Sequence, residues 1–240
     1  MKKKTIIIFK ILFYKIFNLL ISKRNSYLSD FFISLGYAIK NEAEFKYSDV
    51  QKFDWFKLDR IDMHAQLAVD NIGKDTQIVY LEFGVYKGQI FELWTLNNLN
   101  PNSIFVGFDT FTGLPEDWGG IKKGSFSAEG QLPKINDSRC SFQVGLIQDT
   151  LPFFLKNFNS CKEVRKVIHI DVDLYNASLI ALINLNPFLE KGDIIIFDDF
   201  FTLTKAKYEY RSYLDYLSLY ETKLIPILSN RNGHFVVKVG

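Results

Sequence analysis

The sequence predicts an α/β fold: a mostly parallel seven-stranded sheet with helices on its faces, a C-terminal antiparallel hairpin and a helical N-terminal extension. Three observations carry this expectation. From about residue 77, short apolar runs of strand length alternate with segments of helical length, as in a buried parallel sheet. The last two runs are joined only by residues 229–233, too few for a crossover, so they pair antiparallel. The chain has 240 residues, 48% hydrophobic and 23% charged, which suits one substantial domain and excludes a disordered tail or a collagen-like chain. No internal repeat points to a solenoid.

The first element is residues 5–22, TIIIFKILFYKIFNLLIS. As a membrane span it is short and interrupted by Lys10 and Lys15, each costing roughly 2.5–3.5 kcal/mol near mid-membrane. No small-residue cleavage site comes after it, which argues against a signal peptide. Its helical projection sets a basic polar face against Ile, Leu and Phe, the pattern of a helix lying in a membrane interface. Residues 1–25 hold seven Lys or Arg and no acid. The whole chain is at +2, so the remainder carries −5. Residues 1–25 are therefore set apart as a basic amphipathic unit from the domain of residues 26–240. Peripheral contact of a cytoplasmic protein with the inner face of a membrane is the expectation. Docking on the body, or on a second copy in a homodimer, is the alternative. An acidic body argues against a nucleic-acid partner.

Residues 26–72 read as helices packing around the sheet. Strands are expected at 77–83, 104–109, 141–145, 167–171 and 193–198, then at 224–228 and 234–239. Helices are expected at 88–99, 150–158, 177–189 and 203–220. Residues 112–140, rich in Gly, Ser and Pro, form a long functional loop. Within it 119–132 is expected to be mobile until ligands order it. Tyr213, Tyr216 and Tyr220 share one helical stripe, which reads as packing rather than a sugar platform. Cys140 and Cys161 are too few for a disulfide framework and read as inert thiols in a reducing compartment.

Ligands of such a sheet bind outside the carboxyl ends of its strands. There the sequence places Glu82, Gly84, Tyr86 and Gly88 after the first strand, then Asp109 and Thr110 after the second. Gln148 and Asp149 come after the third, Asp171 and Asp173 after the fourth, Asp198 and Asp199 after the fifth. Every strand end carries a carboxylate, and clustered anions need a counter-charge. The first turn, E-x-G-x-x-x-G, lacks the dinucleotide fingerprint, which argues against hydride transfer. Two glycines let backbone approach a ligand, and Glu82 beside them repels phosphate and attracts an ammonium. That favours the methionine part of S-adenosylmethionine. Asp109 is placed to accept ribose hydroxyls or to cap the segment after it. Asp171, Asp198 and Asp199 are hard oxygen donors without His or Cys, which suits Mg²⁺. His169 shares a strand face with Asp171 and reads as a buried histidine first and a base second.

In this order, YLEFGVYKGQ, VGFDTFTGLPEDW, QDTLPFFL, HIDVDLY and GDIIIFDDF resemble the macrocin O-methyltransferase family. The likeness spans roughly residues 77–200 and weakens toward the C-terminus; the basic N-terminal helix is outside it. The resemblance implies a Rossmann-like class I methyltransferase that uses S-adenosylmethionine and Mg²⁺ to methylate a hydroxyl of a sugar-containing acceptor. It implies metal ligands at Asp171, Asp198 and Asp199, the cofactor acid at Asp109 and the glycine turn at Glu82, Gly84 and Gly88. It makes Asp171 a candidate base, with Asp173 and His169 as the others. Methylation of a catechol or another vicinal diol shares the same metal logic and stands as the alternative. A non-catalytic, membrane-associated binding protein on this fold would require that the aspartates fail to converge.

Overall fold

The computed structural model describes residues 60–118, 120–158, 163–200, 208–229 and 233–240. The expected basic helix of residues 1–25, with its membrane and homodimer readings, lies outside them, as do Cys161 and the helical residues expected at 26–59. Among the described residues no helix is long and apolar enough to cross a membrane.

Seven strands form one sheet: β1 (Ile78–Phe83), β2 (Ile104–Asp109), β3 (Cys140–Val144), β4 (Arg165–Ile170), β5 (Ile194–Phe197), β6 (Leu224–Ser229) and β7 (Phe235–Val239). Their order is β3-β2-β1-β4-β5-β7-β6. β1 to β5 pair in parallel, and the C-terminal pair is antiparallel as expected. The last strand, β7, inserts against β5 and leaves β6 at the edge. The winding reverses between β1 and β4, which opens a crevice at their carboxyl ends.

Alternation along the strands builds a core on each face. Val79, Leu81 and Phe83 of β1 join Ile168, Ile170, Ile195 and Phe197 on one side. There they meet α3 (Ile147–Leu155), α4 (Tyr175–Leu185) and α5 (Glu209–Leu219). Ile78 and Tyr80 join Val167 and Ile196 on the other side, against α1 (Arg60–Gln66) and α2 (Gln89–Asn97). Each fully buried large side chain contributes about 1.5–3 kcal/mol. α1 runs on into a π-helical turn, Leu67–Ile72, and its Met63 and Leu67 anchor it in the second core. By the same alternation Glu82 and His169 fall on the α1 face.

Two helices differ from expectation for physical reasons. α3 begins at Ile147, three residues before the expected start, because the Thr150 hydroxyl donates back to the Leu146 carbonyl at 3.1 Å. A residue that bonds back in this way sits inside the helix and does not cap it. α4 stops at Leu185 and tightens into a 3₁₀ turn, Asn186–Phe188, since Pro187 has no N–H to continue the ladder. The Tyr stripe packs as expected, with Tyr213 and Tyr216 buried.

The long loop is irregular but tied down. Leu114 donates to the Ser125 carbonyl, and Gly124 to that of Leu114, both at 2.9 Å. At its end the Arg139 guanidinium caps α2 by donating to the carbonyls of Thr95, Asn98 and Asn100, and also pairs with Asp137.

Candidate active site

A cavity of about 710 Å³ opens at the carboxyl ends of β1, β2, β4 and β5. Glu82, Asp109, Asp171, Asp173, Asp198 and Asp199 all line it, so the carboxylates expected at these four strand ends converge. Gly84, Tyr86, Thr110 and Gln148 line it as well. Gly88 and Asp149 stand outside the lining. Gly88 precedes α2 in a left-handed conformation, and a Cβ there would lie 2.6 Å from the Pro133 Cβ. Asp149 is exposed in the first turn of α3.

On the β1–β2 side the turn is held by Asp109. Its Oδ2 accepts from the backbone of Val85 (2.8 Å) and Tyr86 (2.7 Å), and its Oδ1 from Phe111 (2.8 Å). Oδ2 is thereby filled, and Oδ1 keeps a second lone pair for a ligand. Gly84 has φ +88°, and a Cβ there would fall 1.8 Å from the Asp171 carbonyl oxygen. This glycine is required by the close approach of the β4 end, and not only by any ligand. Glu82 is buried and accepts a hydrogen bond from the Tyr80 hydroxyl.

The β4–β5 side contains a cation that the sequence motifs do not announce. Arg60, at the start of α1, lines the cavity and bridges two aspartates. Its Nε donates to Asp198 Oδ1 at 2.8 Å and its Nη2 pairs with Asp171 Oδ2. Burial opposes the Arg60 charge, but Asp171 and then Asp198 hold its pKa above the ordinary value. One turn later His64 sits edge-on to His169, with ring centroids 4.6 Å apart. Neither Arg60 nor His64 belongs to a motif that singles it out in the sequence. Their only signal is a four-residue spacing on one helical face.

His169 is fully buried between Glu82 (Nδ1 to Oε2, 3.4 Å) and Asp198 (Nε2 to Oδ1, 3.4 Å). Burial opposes its charge, but hydrogen bonds with Asp198 and Glu82 prevail and raise it to about 9. At neutral pH it is an imidazolium with no lone pair for a proton. Asp198 Oδ1 also meets His234 Nε2 at 3.3 Å. Burial works against the Asp198 charge, yet His169, His234 and Arg60 together hold it well below the usual carboxylate range. Asp171 goes the other way: burial and then Asp198 push it up to about 7, against the pull of Arg60 and His169. Behind Asp199, Glu209 is buried, accepts the Asp199 backbone N–H at 3.0 Å and leaves Oε1 without a partner among the described residues. Burial, then Asp199, push its carboxyl well above the ordinary value.

His64, His169 and Asp198 each bring a ligand atom within 4.8 Å of the others, but they do not make a transition-metal site. His64 Nδ1 accepts from Trp94 Nε1 at 3.0 Å, so the proton of the neutral ring is on Nε2, and His169 already carries two. The aspartates suit a hard cation better. Asp171 Oδ1 and Asp198 Oδ2 have no protein partner among the described residues. Asp199 adds a third carboxylate on the same wall. All-oxygen donors with room for waters fit Mg²⁺.

The profile of the macrocin-O-methyltransferase family matches residues 60–220. No curated protein matches the chain significantly. Among solved structures, the calicheamicin methyltransferase CalS11 aligns with a TM-score of 0.58 and 23% identity, over 75% of this chain and 80% of that one. An apo form of CalS11, a TDP-rhamnose 3'-O-methyltransferase, aligns with a TM-score of 0.53 and 24% identity, over 75% and 81%. The O-methyltransferase NovP gives 0.53 and 20%, over 75% and 78%. These likenesses establish the fold.

Proposed function

The chain belongs to the macrocin-O-methyltransferase family, an S-adenosylmethionine-dependent class of enzymes, and from that premise we propose that it methylates a sugar hydroxyl with Mg²⁺ at Asp171, Asp198 and Asp199. One observation carries the reading: a single cavity joins Glu82, Gly84 and Asp109 to the aspartates of β4 and β5. When bound, S-adenosylmethionine supplies an electrophilic methyl group, and Mg²⁺ supplies a Lewis acid that favours the alkoxide.

The residues of the chain bind, orient and take the proton. Glu82 faces a cofactor ammonium with its negative charge. Asp109 keeps a lone pair on Oδ1 for a ribose hydroxyl. Asp171, whose carboxyl burial and Asp198 raise to about 7 in the metal-free protein, is the candidate base, and Asp173 stands on the same wall. His169 takes no proton; it steadies Glu82 and Asp198 from behind. Leu114, Trp118 and Phe126 of the long loop line the cavity and exclude water from the reacting centre. Because CalS11 acts on TDP-rhamnose, nucleotide sugars are the first acceptors to test.

The experiment is transfer of a deuterated methyl group from S-adenosylmethionine to a panel of nucleotide sugars and glycosides, read by mass spectrometry. The expected result is a product heavier by one labelled methyl, formed with Mg²⁺ and lost in excess EDTA. Labelling of catechols but of no sugar would replace the acceptor class. Undiminished transfer in EDTA would remove the metal. Calorimetry showing tight NAD binding and none for S-adenosylhomocysteine would remove the cofactor.

A further inference from the structure

We propose that Arg60 is a latch on the metal site: its guanidinium holds Asp171 and Asp198 in the metal-free protein and is displaced when a divalent cation binds. This rests on the metal reading above and adds a residue to it that no aspartate motif contains. Arg60 binds two separate carboxylates with two different nitrogens, Nε on Asp198 and Nη2 on Asp171. It therefore spans the pair that a metal would span. Among the described residues it is the fixed positive charge closest to both, and without it two half-buried carboxylates face each other.

A guanidinium cannot leave such a site by losing its proton. A histidine or lysine in this place would neutralise as a dication approached; Arg60 must move or share the carboxylates. Sharing puts a single and a double positive charge side by side, and Mg²⁺ tolerates little distortion of its octahedron. Movement is open to the side chain alone. The helix is anchored by Met63 and Leu67, which are 0% and 1% exposed, whereas the Arg60 side chain is 37% exposed. The latch thus swings while α1 stays docked. The cation's apparent affinity is reduced by the fraction of molecules in which the latch is closed.

The test is a Mn²⁺ titration of the full chain, monitored by electron paramagnetic resonance, for wild type and Arg60→Met. Methionine keeps an apolar stem and removes the charge. If the latch is closed in about nine molecules of ten, its removal tightens Mn²⁺ binding about tenfold. Equal or weaker binding by Arg60→Met, with wild type binding normally, overturns the latch alone and leaves the metal reading standing. Absence of Mn²⁺ binding in both proteins overturns both. Should the variant fail to fold, wild type answers by itself. The chain has six arginines, so the Arg60 Nε–H resonance is separable in a ¹⁵N-arginine sample. Added Mg²⁺ is expected to shift it and speed its exchange with water. A resonance unmoved at saturating Mg²⁺ contradicts the proposal.

Discussion

Two clusters of charge, one buried and one half-buried, stand at opposite ends of the same sheet, and they are built differently. At the amino ends, Lys166 and Asp193 form a buried pair 3.3 Å apart. Asp193 Oδ1 accepts the Lys166 backbone N–H at 2.8 Å, and Oδ2 that of Glu190 at 2.7 Å. Lys166 Nζ also donates to the Val164 carbonyl. One positive charge meets one negative, and both carboxylate oxygens are bonded. At the carboxyl ends, Glu82, Asp171, Asp198 and Asp199 crowd around Arg60 and His169. There, among the described residues, carboxylates outnumber the fixed cations, and Asp171 Oδ1 and Asp198 Oδ2 stay unpartnered. A cluster that the protein closes by itself serves the fold. A cluster left short of positive charge is suited to a ligand.

The comparison breaks most visibly if the amino-end pair proves dispensable. Lys166→Met strands a buried carboxylate and is expected to cost about 3–5 kcal/mol, measured by urea unfolding, with S-adenosylhomocysteine affinity unchanged. At the other end the signs reverse. Asp171→Asn removes a charge that its surroundings already resist. Its melting temperature at pH 8 should equal or exceed that of wild type, while methyl transfer falls at least about 10²-fold. A melting temperature well below wild type would mean that the aspartates are structural after all.

Stability against pH sharpens the contrast. His169 is raised to about 9 from 6.5, so its contribution is complete below pH 6.5 and is lost as pH rises through 9. Asp171, raised to about 7 from 3.8, acts in the same sense at lower pH. The metal-free protein should therefore lose stability from pH 3.8 to about 7 through Asp171 and from 6.5 to about 9 through His169 in thermal melts. Saturating Mg²⁺ should flatten the part of the decline due to Asp171. The smallest effect is expected at Glu209. Burial and Asp199 already oppose its charge, so Glu209→Gln should change stability by less than about 0.5 kcal/mol and keep the acceptor for the Asp199 amide. A loss of several kcal/mol would show that Glu209 is ionised.

The strand-end carboxylates were legible because a parallel sheet brings the residues after each strand to one rim, and Asp171, Asp198 and Asp199 come directly after theirs. The illegible part depends on contacts distant in sequence. Arg60 reaches Asp198 across 138 residues, and nothing in its helix says which carboxylate it will meet. Gly84 looked like a ligand-approach glycine, and its nearest neighbour is the backbone of Asp171. Asp109 looked like a ribose acceptor, and it also fastens the turn before α2. Local bonding explains the helix boundaries: the back-bonded Thr150 resembles a cap in sequence, and Pro187 sits where apolar periodicity alone would carry α4 onward.

The most direct test of the central claim, that the carboxyl-end cluster is a divalent-cation site, is calorimetric titration of Mg²⁺ into S-adenosylhomocysteine-loaded protein, wild type and Asp171→Asn. One ion bound per wild-type chain, with the variant weakened by at least about tenfold, is the result this account predicts. Equal affinity in the two proteins, or no ion bound by wild type, would contradict it.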